Sequence, residues 1–318
     1  MPVKFNADGL RDSLAPLLAH GSLSAEAQAY RRFYGLDLPN LGKPLHSWLG
    51  RFQVAGFDIV SQVWCPPQPV ATLFLVHGFY DHMGLFRHVV EWAVGLGFAV
   101  VSCDLPGHGL SSGERASIGD FGDYQQVLQG LFAEAAALGL PQPWHLMGQS
   151  TGGAIIIDHL LHDTAQSSPA QGEVVLLAPL VRPRAWGWSK LSYRLLNPFV
   201  SGIARRFSEN THDPAFMPFL MADPLQPARL PTAWVGALIR WVRHIEAAPP
   251  STRTPLIVQG EQDLTVDWRY NLGVLRGKFP GAQVLMLPEA RHHLANELPA
   301  TRAQYFRFIE ARLPARQL

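Results

Sequence analysis

The sequence predicts an α/β fold: a mostly parallel central sheet with helices on both faces and an inserted helical cap. Two observations carry this prediction. From residue 71 onward, short apolar runs typical of buried strands alternate with stretches of helical periodicity. The alternation is interrupted once, between residues 180 and 254, by a long segment without a convincing strand.

Six apolar runs bounded by turn residues are typical of buried strands. The predicted strands cover residues 71–76, 99–103, 144–147, 174–177, 256–259 and 284–287. Helical spacing of apolar residues between them predicts helices over residues 85–96, 118–138, 152–162, 268–278 and 299–313. We expect residues 51–180 and 251–318 to form one core.

Residues 1–50 precede this core and predict a helical extension. Ser24 is a suitable N-cap for a helix that Gly35 would end. The chain then changes to strand character, and residues 52–55 and 58–64 predict a hairpin. We interpret the extension as an appendage to the core.

Residues 181–250 predict an inserted helical cap. Trp234, Leu238 and Trp241 share one face of an amphipathic helix. Long insertions in compact domains are usually functional, which favours a lid over a site, with a purely structural excursion as the alternative. For a lid, the tryptophans Trp186, Trp234 and Trp241 are candidates for contact with substrate.

The composition excludes several classes of protein. The 318 residues include 26 Lys or Arg and 25 Asp or Glu, so the net charge is +1, and no dense basic run favours nucleic-acid binding. Glycines and prolines interrupt the uncharged stretch 135–157, so no transmembrane helix is predicted. Residues 1–10 lack a secretory signal, and Cys65 and Cys103 lie in apolar runs. We therefore expect two buried free thiols and a cytoplasmic protein.

The small net charge is a cancellation between two parts of the chain. Residues 181–253 carry ten basic and four acidic residues, a net charge of +6, and the rest carries −5. A basic, tryptophan-bearing cap could dock on anionic lipid. The alternative is a solvated arginine rim over a packed tryptophan core.

The strongest motif is Gly148-Gln149-Ser150-Thr151-Gly152, which lies between a predicted strand and a predicted helix. A nucleophile on such a sharp turn needs small neighbours, so that the strained backbone can fold and the serine Oγ can project. The following helix also presents free N–H groups to developing negative charge. Ser150 is therefore the predicted nucleophile, and a plain glycine-rich turn is the alternative.

A candidate acid and a candidate base follow in chain order. Asp263 comes after the strand at 256–259, and His292 comes after the strand at 284–287. The carboxyl ends of parallel strands meet at one edge of a sheet, so we expect Ser150, Asp263 and His292 to form a catalytic triad. The rivals at neighbouring positions are Glu261, Asp267 and His293.

The segment from His77 to His82, after the strand at 71–76, supplies a further part of the predicted site. Acyl transfer requires two N–H donors to an oxyanion, and we assign them to the backbones of Phe79 and Thr151. Gly78 would allow close approach of this loop. We expect His77 and His82 to fix the loop by hydrogen bonds.

Taken together, these motifs resemble the monoacylglycerol lipase and lysophospholipase branch of the α/β-hydrolases. The resemblance covers about residues 50–315 and also uses D-L-P-G-H-G-L-S from Asp104, G-E-R from Gly113 and G-E-Q-D-L-T-V from Gly260. It implies an α/β-hydrolase fold with a helical cap at the insertion, and it matches Glu297 to a glutamate that follows the catalytic histidine. The usual G-H-S-M-G of that branch is G-Q-S-T-G here, and the segment before residue 50 has no counterpart.

We therefore expect a serine hydrolase that cleaves lipid-type carboxylic esters, of a monoacylglycerol or lysophospholipid, through an acyl-enzyme on Ser150. A carboxylesterase for small soluble esters is the alternative, and a non-catalytic binding protein of the same fold is a further one. This chemistry requires no metal or organic cofactor. His159 and His162 lie one helical turn apart, but no supporting Cys or carboxylate pattern favours a metal site.

Overall fold

The computed structural model describes residues 4–17, 23–39, 41–42, 44–162, 168–196 and 199–313, so residues 1–3, 18–22, 40 and 43 of the predicted extension lie outside the described residues. The strands are β1 (His46–Val54), β2 (Phe57–Cys65), β3 (Ala71–Val76), β4 (Phe98–Cys103), β5 (Trp144–Gln149), β6 (Val174–Leu177), β7 (Gly202–Ala204), β8 (Arg229–Pro231), β9 (Leu256–Gly260) and β10 (Gln283–Leu287). The α-helices are α1 (Ala7–Ser13), α2 (Ala25–Tyr34), α3 (Arg87–Gly95), α4 (Phe121–Ala137), α5 (Thr151–His162), α6 (Trp186–Leu196), α7 (Phe216–Ala222), α8 (Thr232–Ala247), α9 (Trp268–Lys278) and α10 (Pro299–Glu310). Two short 3-10 helices cover Met83–Phe86 and Leu294–Asn296.

Eight strands form one sheet in the order β1-β2-β4-β3-β5-β6-β9-β10. The β1–β2 and β2–β4 pairs are antiparallel, and every later pair is parallel. The six predicted parallel strands are confirmed, with ends that differ by at most two residues. Because β3, β5, β9 and β10 are parallel, the loops that follow them meet at the same edge of the sheet.

Both faces of the sheet are buried. One apolar cluster packs α4, α5, α8 and α9 against one face, and a second packs α2, α3, α7 and α10 against the other. Strands β3, β4 and β5 are consequently buried along their whole length. This two-sided burial explains why their sequences are nearly continuous apolar runs.

Two predicted helices begin later than expected. The pattern at 85–96 divides into the 3-10 helix Met83–Phe86 and α3. Helix α4 begins at Phe121 because Asp120, in an extended conformation, accepts a hydrogen bond from the N–H of Gly122 at 2.7 Å. The apolar residues just before α4 belong to the loop and not to the helix.

The predicted appendage is part of the core. Leu10, Tyr30 and Leu36 are fully buried in the second apolar cluster. The indole Nε1 of Trp64, in β2, donates a hydrogen bond to the carbonyl of Leu36 at 3.1 Å. Strand β1 begins at His46, so the predicted boundary at residue 50 falls inside a strand. The interpretation of residues 1–50 as an appendage was wrong. The sequence shows that α2 has an apolar face, but it does not show that this face packs on the central sheet.

The segment 181–250 contains α6, α7 and α8 together with a small antiparallel sheet of β7 and β8. The expectation that it holds no strand was therefore wrong, since three-residue strands give too short a pattern to detect. Helix α8 packs on α4, where the rings of Trp241 and Phe121 lie 5.1 Å apart. Across the described ranges of the chain, no helix is both long and apolar enough to cross a membrane.

Candidate active site

Ser150 lies on a sharp turn between β5 and α5. Its backbone φ is +53°, in the left-handed region that a residue with a Cβ rarely adopts. A Cβ on Gly152 would lie 2.1 Å from the carbonyl oxygen of Val76, and one on Gly148 would lie 2.4 Å from the carbonyl carbon of Gly152. The glycines of the motif are therefore required by the close approach of β3 and of the turn itself.

His292 and Asp263 form a buried pair beyond the ends of β10 and β9. Nδ1 of His292 lies 2.7 Å from Oδ2 of Asp263. The other carboxylate oxygen accepts hydrogen bonds from the N–H groups of Thr265 and Val266, at 2.8 and 3.1 Å. Nε2 of Gln259 also donates to Oδ2, at 3.2 Å. Asp263 is thus held by four donors, and its orientation toward the imidazole is fixed.

The electrostatics of this pair favour a protonated imidazole. Burial alone would raise the pKa of Asp263, but the His292 ring and the two backbone amides outweigh it and hold the pKa below its usual range. Burial alone would lower the pKa of His292, but Asp263 outweighs it and the pKa lies above its usual value. A histidine in this setting can accept a proton and remain stable as the cation.

The rival residues lie in other surroundings. Nε2 of His293 is 3.3 Å from Oδ1 of Asp81, and its ring packs between Phe86 and Phe216. Asp267 accepts a hydrogen bond from the N–H of Tyr270 as the N-cap of α9. Glu261 is exposed. The structure therefore pairs His292 with Asp263 and with none of these rivals.

Gln149 is a site residue whose role the sequence did not reveal. Its Nε2 donates to the carbonyl of His292 at 2.8 Å, and its Oε1 accepts from the N–H of Ala295 at 3.2 Å. The side chain is 1% exposed. Gln149 fastens the loop of His292 to the turn that carries Ser150. The only signal in the sequence was the glutamine that replaces the histidine of the usual motif.

His77 fixes the loop that follows β3. Its Nε2 accepts a hydrogen bond from the N–H of Leu105 at 2.9 Å, and its Nδ1 donates to the carbonyl of Gly78 at 2.7 Å. Burial, with smaller contributions from His108, lowers the pKa of His77 to about 3. The neutral ring thus makes one donating and one accepting bond, and it holds the loop after β3.

This loop lies directly against the serine. A Cβ on Gly78 would be 3.3 Å from Cβ of Ser150. Within the described part of the chain, the backbone N–H groups of Phe79 and Thr151 donate to no backbone carbonyl. In that part of the chain both amides thus have no backbone acceptor, as an oxyanion hole would require.

His82 connects the same loop to the cap and to α2. Its Nε2 lies 2.7 Å from Oδ2 of Asp223, at the end of α7. The hydroxyl of Tyr34 donates to the other oxygen of Asp223 at 2.6 Å. Both side chains of the His82–Asp223 pair are fully buried.

Glu297 connects the histidine loop to the cap. Its Oε1 accepts from the N–H of Arg291 at 2.8 Å, and its Oε2 accepts from the N–H of His212 at 3.1 Å. The residue is fully buried. Glu297 therefore connects the cap backbone to the residue that precedes His292.

The three cap tryptophans lie in different places. Trp234 stacks on Phe79 with ring centroids 3.8 Å apart, so it reaches the loop beside Ser150. Trp241 donates from Nε1 to Oδ2 of Asp158 at 3.0 Å, which holds it at the contact between α8 and α5. Trp186 is buried, and the Lys190 amine lies 5.9 Å from its ring. The structure thus brings Trp234 to the candidate site and places Trp241 at a contact of the cap with the core.

A serine on a strained strand-to-helix turn, next to a histidine–aspartate pair at the carboxyl edge of a mostly parallel sheet, defines a hydrolase of the α/β-hydrolase fold. Residues 67–299 match the sequence model of the family described as serine aminopeptidase, S33. The chain belongs to that family and to the monoacylglycerol lipase-like branch of the α/β-hydrolases.

Known proteins of this branch are similar to most of the chain. The monoacylglycerol lipase of Mycolicibacterium smegmatis is 27% identical over 227 residues, which are 69% of this chain and 78% of that protein. Human monoglyceride lipase is 28% identical over 267 residues, 80% of this chain and 86% of that protein. A soluble variant of the monoglyceride lipase from Saccharomyces cerevisiae, solved with a substrate analog, superposes with a TM-score of 0.71 at 17% identity, and covers 86% of this chain and 96% of that one.

Proposed function

We propose that this protein is a serine hydrolase that cleaves lipid-type carboxylic esters, with a monoacylglycerol or lysophospholipid as substrate. The observation that carries the proposal is the connection between Ser150, at φ +53°, and the buried His292–Asp263 pair, made by Gln149. The names of the relatives support the lipid class of the ester.

In the proposed reaction, Oγ of Ser150 attacks the ester carbonyl while Nε2 of His292 accepts its proton. Asp263 holds Nδ1–H of His292 and stabilises the imidazolium. The amides of Phe79 and Thr151 bind the oxyanion, a contact worth about 3 to 4 kcal/mol per donor. The intermediate collapses to the acyl-enzyme as His292 protonates the leaving alcohol. Water, deprotonated by His292, then releases the fatty acid and regenerates the serine.

Labelling by a fluorophosphonate probe tests the nucleophile. We expect the wild type to be labelled and Ser150→Ala to remain unlabelled, and equal labelling of both would exclude Ser150 as the nucleophile.

Substitution of the two neighbouring histidines tests the base. His292→Ala should abolish turnover, whereas His293→Ala should retain most of it. The opposite result would exchange the two histidines.

A series of p-nitrophenyl esters from acetate to laurate, together with monoacylglycerols, tests the substrate class. We expect kcat/KM to rise with acyl chain length, with Ser150→Ala as the blank. A maximum at acetate would favour the alternative, a carboxylesterase for small soluble esters. Folded protein without turnover on any of these esters would favour a binding protein.

We also propose that the cap docks on a membrane surface that contains anionic lipid. Large apolar side chains on α6 and in the segment after it are exposed, and we call them the cap patch: Trp188, Leu191, Leu195, Phe199 and Ile203. Arg194 and Arg206 are also exposed in this part of the cap. Several other cap arginines bind protein groups, as Arg205 binds Gln226 and Arg240 binds the carbonyl of Gly119. The apolar residues are therefore the larger part of the proposed contact, and the arginines add attraction to anionic headgroups.

Liposome co-sedimentation tests this docking. We expect more binding to anionic than to neutral vesicles at low salt, and a loss of binding in the double variant Trp188→Ser, Phe199→Ser. Val70→Ser is the matched control, since Val70 is exposed in the loop between β2 and β3. Equal binding to both kinds of vesicle would exclude the anionic preference, and unchanged binding of the double variant would exclude the cap patch.

We further propose that the protein works in a reducing compartment such as the cytoplasm. Cys65 and Cys103 are both free, with Cys103 buried and Cys65 half-buried. Free buried thiols are typical of proteins in such compartments.

A further inference from the structure

Three metal-ligating side chains meet where the cap helix α8 lies over the core helix α5. Asp158 and His162 lie one turn apart on α5, and His244 lies in the last turn of α8. Nδ1 of His162 is 2.8 Å from Oδ1 of Asp158, and Nε2 of His244 is 3.8 Å from the same oxygen. Among the described residues, these three form a group whose ligand atoms all lie within 4.8 Å of one another.

We propose that Asp158, His162 and His244 bind one divalent transition-metal ion of the Zn²⁺ class. Two imidazoles and one carboxylate are the donor set that zinc takes in proteins, and ligand atoms around one tetrahedral zinc lie roughly 3.3 Å apart. The separations of 2.8 and 3.8 Å lie on either side of that value. The two rings are stacked nearly parallel, and a bound ion lies in the plane of each imidazole, so one ring would turn out of the stack to complete the geometry. Solvent would supply the remaining ligand.

The carboxylate of Asp158 is already oriented for this role. Nε1 of Trp241 donates to Oδ2 at 3.0 Å, which leaves Oδ1 directed toward both histidines. Outer partners of this kind fix the orientation of ligands in metal sites. The Asp158 side chain is 8% exposed, whereas those of His162 and His244 are 38% and 57% exposed, so an ion can reach the cluster from solvent.

A hydrogen bond between His162 and Asp158 does not account for the whole cluster. The distance from His244 to Asp158 is too long for a hydrogen bond, although the rings of His162 and His244 stack at 4.1 Å with an angle of 9°. A cation shared by the two rings and the carboxylate explains why all three groups converge. The sequence favoured no metal site, because it offered only the pair His159 and His162; in the structure the second histidine of the group comes from the cap.

The ion would act on the cap and not on the chemistry. Asp158 lies eight residues after Ser150 along α5, about 12 Å at the helical rise of about 1.5 Å per residue. The site joins the C-terminal end of α8, and thus one end of the cap, to the core. Metal binding would fix that end of the cap against α5.

Isothermal titration of ZnCl₂ into EDTA-treated, dialysed full-length protein at pH 7.5 tests the proposal. We expect one site in the wild type, at least tenfold weaker binding in His162→Gln and in His244→Gln, and none in the double variant. His46→Gln is the matched control, because His46 is exposed on β1, far along the chain from this cluster. It should bind zinc like the wild type.

Thermal unfolding gives a second readout that does not depend on ester hydrolysis. Zinc should raise the Tm of the wild type and of His46→Gln and leave that of the double variant unchanged, since a ligand that binds only the folded state stabilises it. No binding by the wild type, or equal binding by the double variant, would overturn the proposal. Ser150→Ala lacks the proposed nucleophile but keeps Asp158, His162 and His244, so it should bind zinc like the wild type. Zinc binding and ester hydrolysis can therefore fail independently of each other.

Discussion

Ser150 shows at the scale of one residue how this fold holds a reactive side chain. Its φ of +53° costs a residue with a Cβ about 1–2 kcal/mol. The surrounding contacts enforce it, since the N–H of Ser150 donates to the carbonyl of Leu177 and its carbonyl accepts from the N–H of Leu180. The backbone is thus held in a strained turn.

Glycine at this position should relieve the strain and remove the nucleophile together. We expect Ser150→Gly to be more stable than Ser150→Ala by about 1 kcal/mol, because glycine adopts a positive φ without a steric penalty. Both variants should lack turnover. Urea unfolding at equilibrium measures the difference, and equal stability of the two variants would show that the turn is not strained.

The pKa of His292 sets the acid limit of the proposed reaction. The neutral form of His292 is the base, and its pKa is raised. As the pH is lowered, kcat/KM should therefore begin to fall at a pH above the ordinary histidine pKa of about 6.5. Asp263→Asn removes the charge that raises this pKa, and the acid limb should move to lower pH while the rate falls by about 10³-fold or more. The rate of fluorophosphonate labelling as a function of pH measures both. A limb that stays in place in Asp263→Asn would contradict the pairing.

Single residues differ in how far the sequence reveals them. The glycines around Ser150 were predictable, because a tight turn restricts residue type locally. The role of Gln149 was not, because its partners lie on a loop 143 positions away and a glutamine has no local preference for such a contact.

At the scale of elements, Asp223 joins three segments that are remote in the chain. It accepts hydrogen bonds from Tyr34 on α2 and from the N–H of Leu225, and it pairs with His82 in the loop after β3. Burial alone would lower the pKa of His82, but Asp223 outweighs it and raises the pKa. Burial would raise the pKa of Asp223, but His82 and the other donors hold it low. The buried ion pair thus links the extension, the core loop and the cap.

Asp223→Asn should destabilise the protein by about 3 kcal/mol near pH 6.5, because removing one charge of a buried pair leaves the other without compensation. Because the pKa of His82 is raised by folding, its contribution to the free energy of unfolding is fully present below its pKa in the unfolded state. That contribution is lost as the pH rises through its pKa in the folded state. The difference from wild type should therefore narrow toward pH 9. Glu209→Gln, at an exposed pair with Arg291, is the control and should change the free energy of unfolding by less than about 1 kcal/mol.

The ends of several elements were predictable for a physical reason. Ser24 caps α2 by accepting a hydrogen bond from the N–H of Ala27, and Gly35 ends the helix in a left-handed conformation. Serine is a preferred N-cap and glycine a preferred helix end, so both positions could be read from residue type. The strands β7 and β8 were not predictable, because pairing of three residues depends on a partner and not on a pattern.

At the scale of the whole molecule, the segment before β1 closes the second face of the sheet. Tyr30 is fully buried there, and α1 and α2 contribute to the same apolar cluster as α3 and α10. The guanidinium of Arg11 also donates to the carbonyl of Gly109 in the loop after β4. Sequence patterns showed that this segment is helical, but its docking site depends on shape complementarity with the assembled sheet.

Removal of residues 1–41 should therefore expose the apolar face around Trp64 and abolish the cooperative thermal transition, which calorimetry would detect.

Two substitutions of Tyr30 test the same docking of this segment quantitatively. Tyr30→Ala should cost about 3–5 kcal/mol, the range for deleting a large buried side chain. Tyr30→Phe should cost nothing or stabilise the protein slightly, because within the described residues the Tyr30 hydroxyl is buried without a hydrogen-bond partner. If the truncated chain and Tyr30→Ala both unfold like the wild type, the segment is an appendage after all.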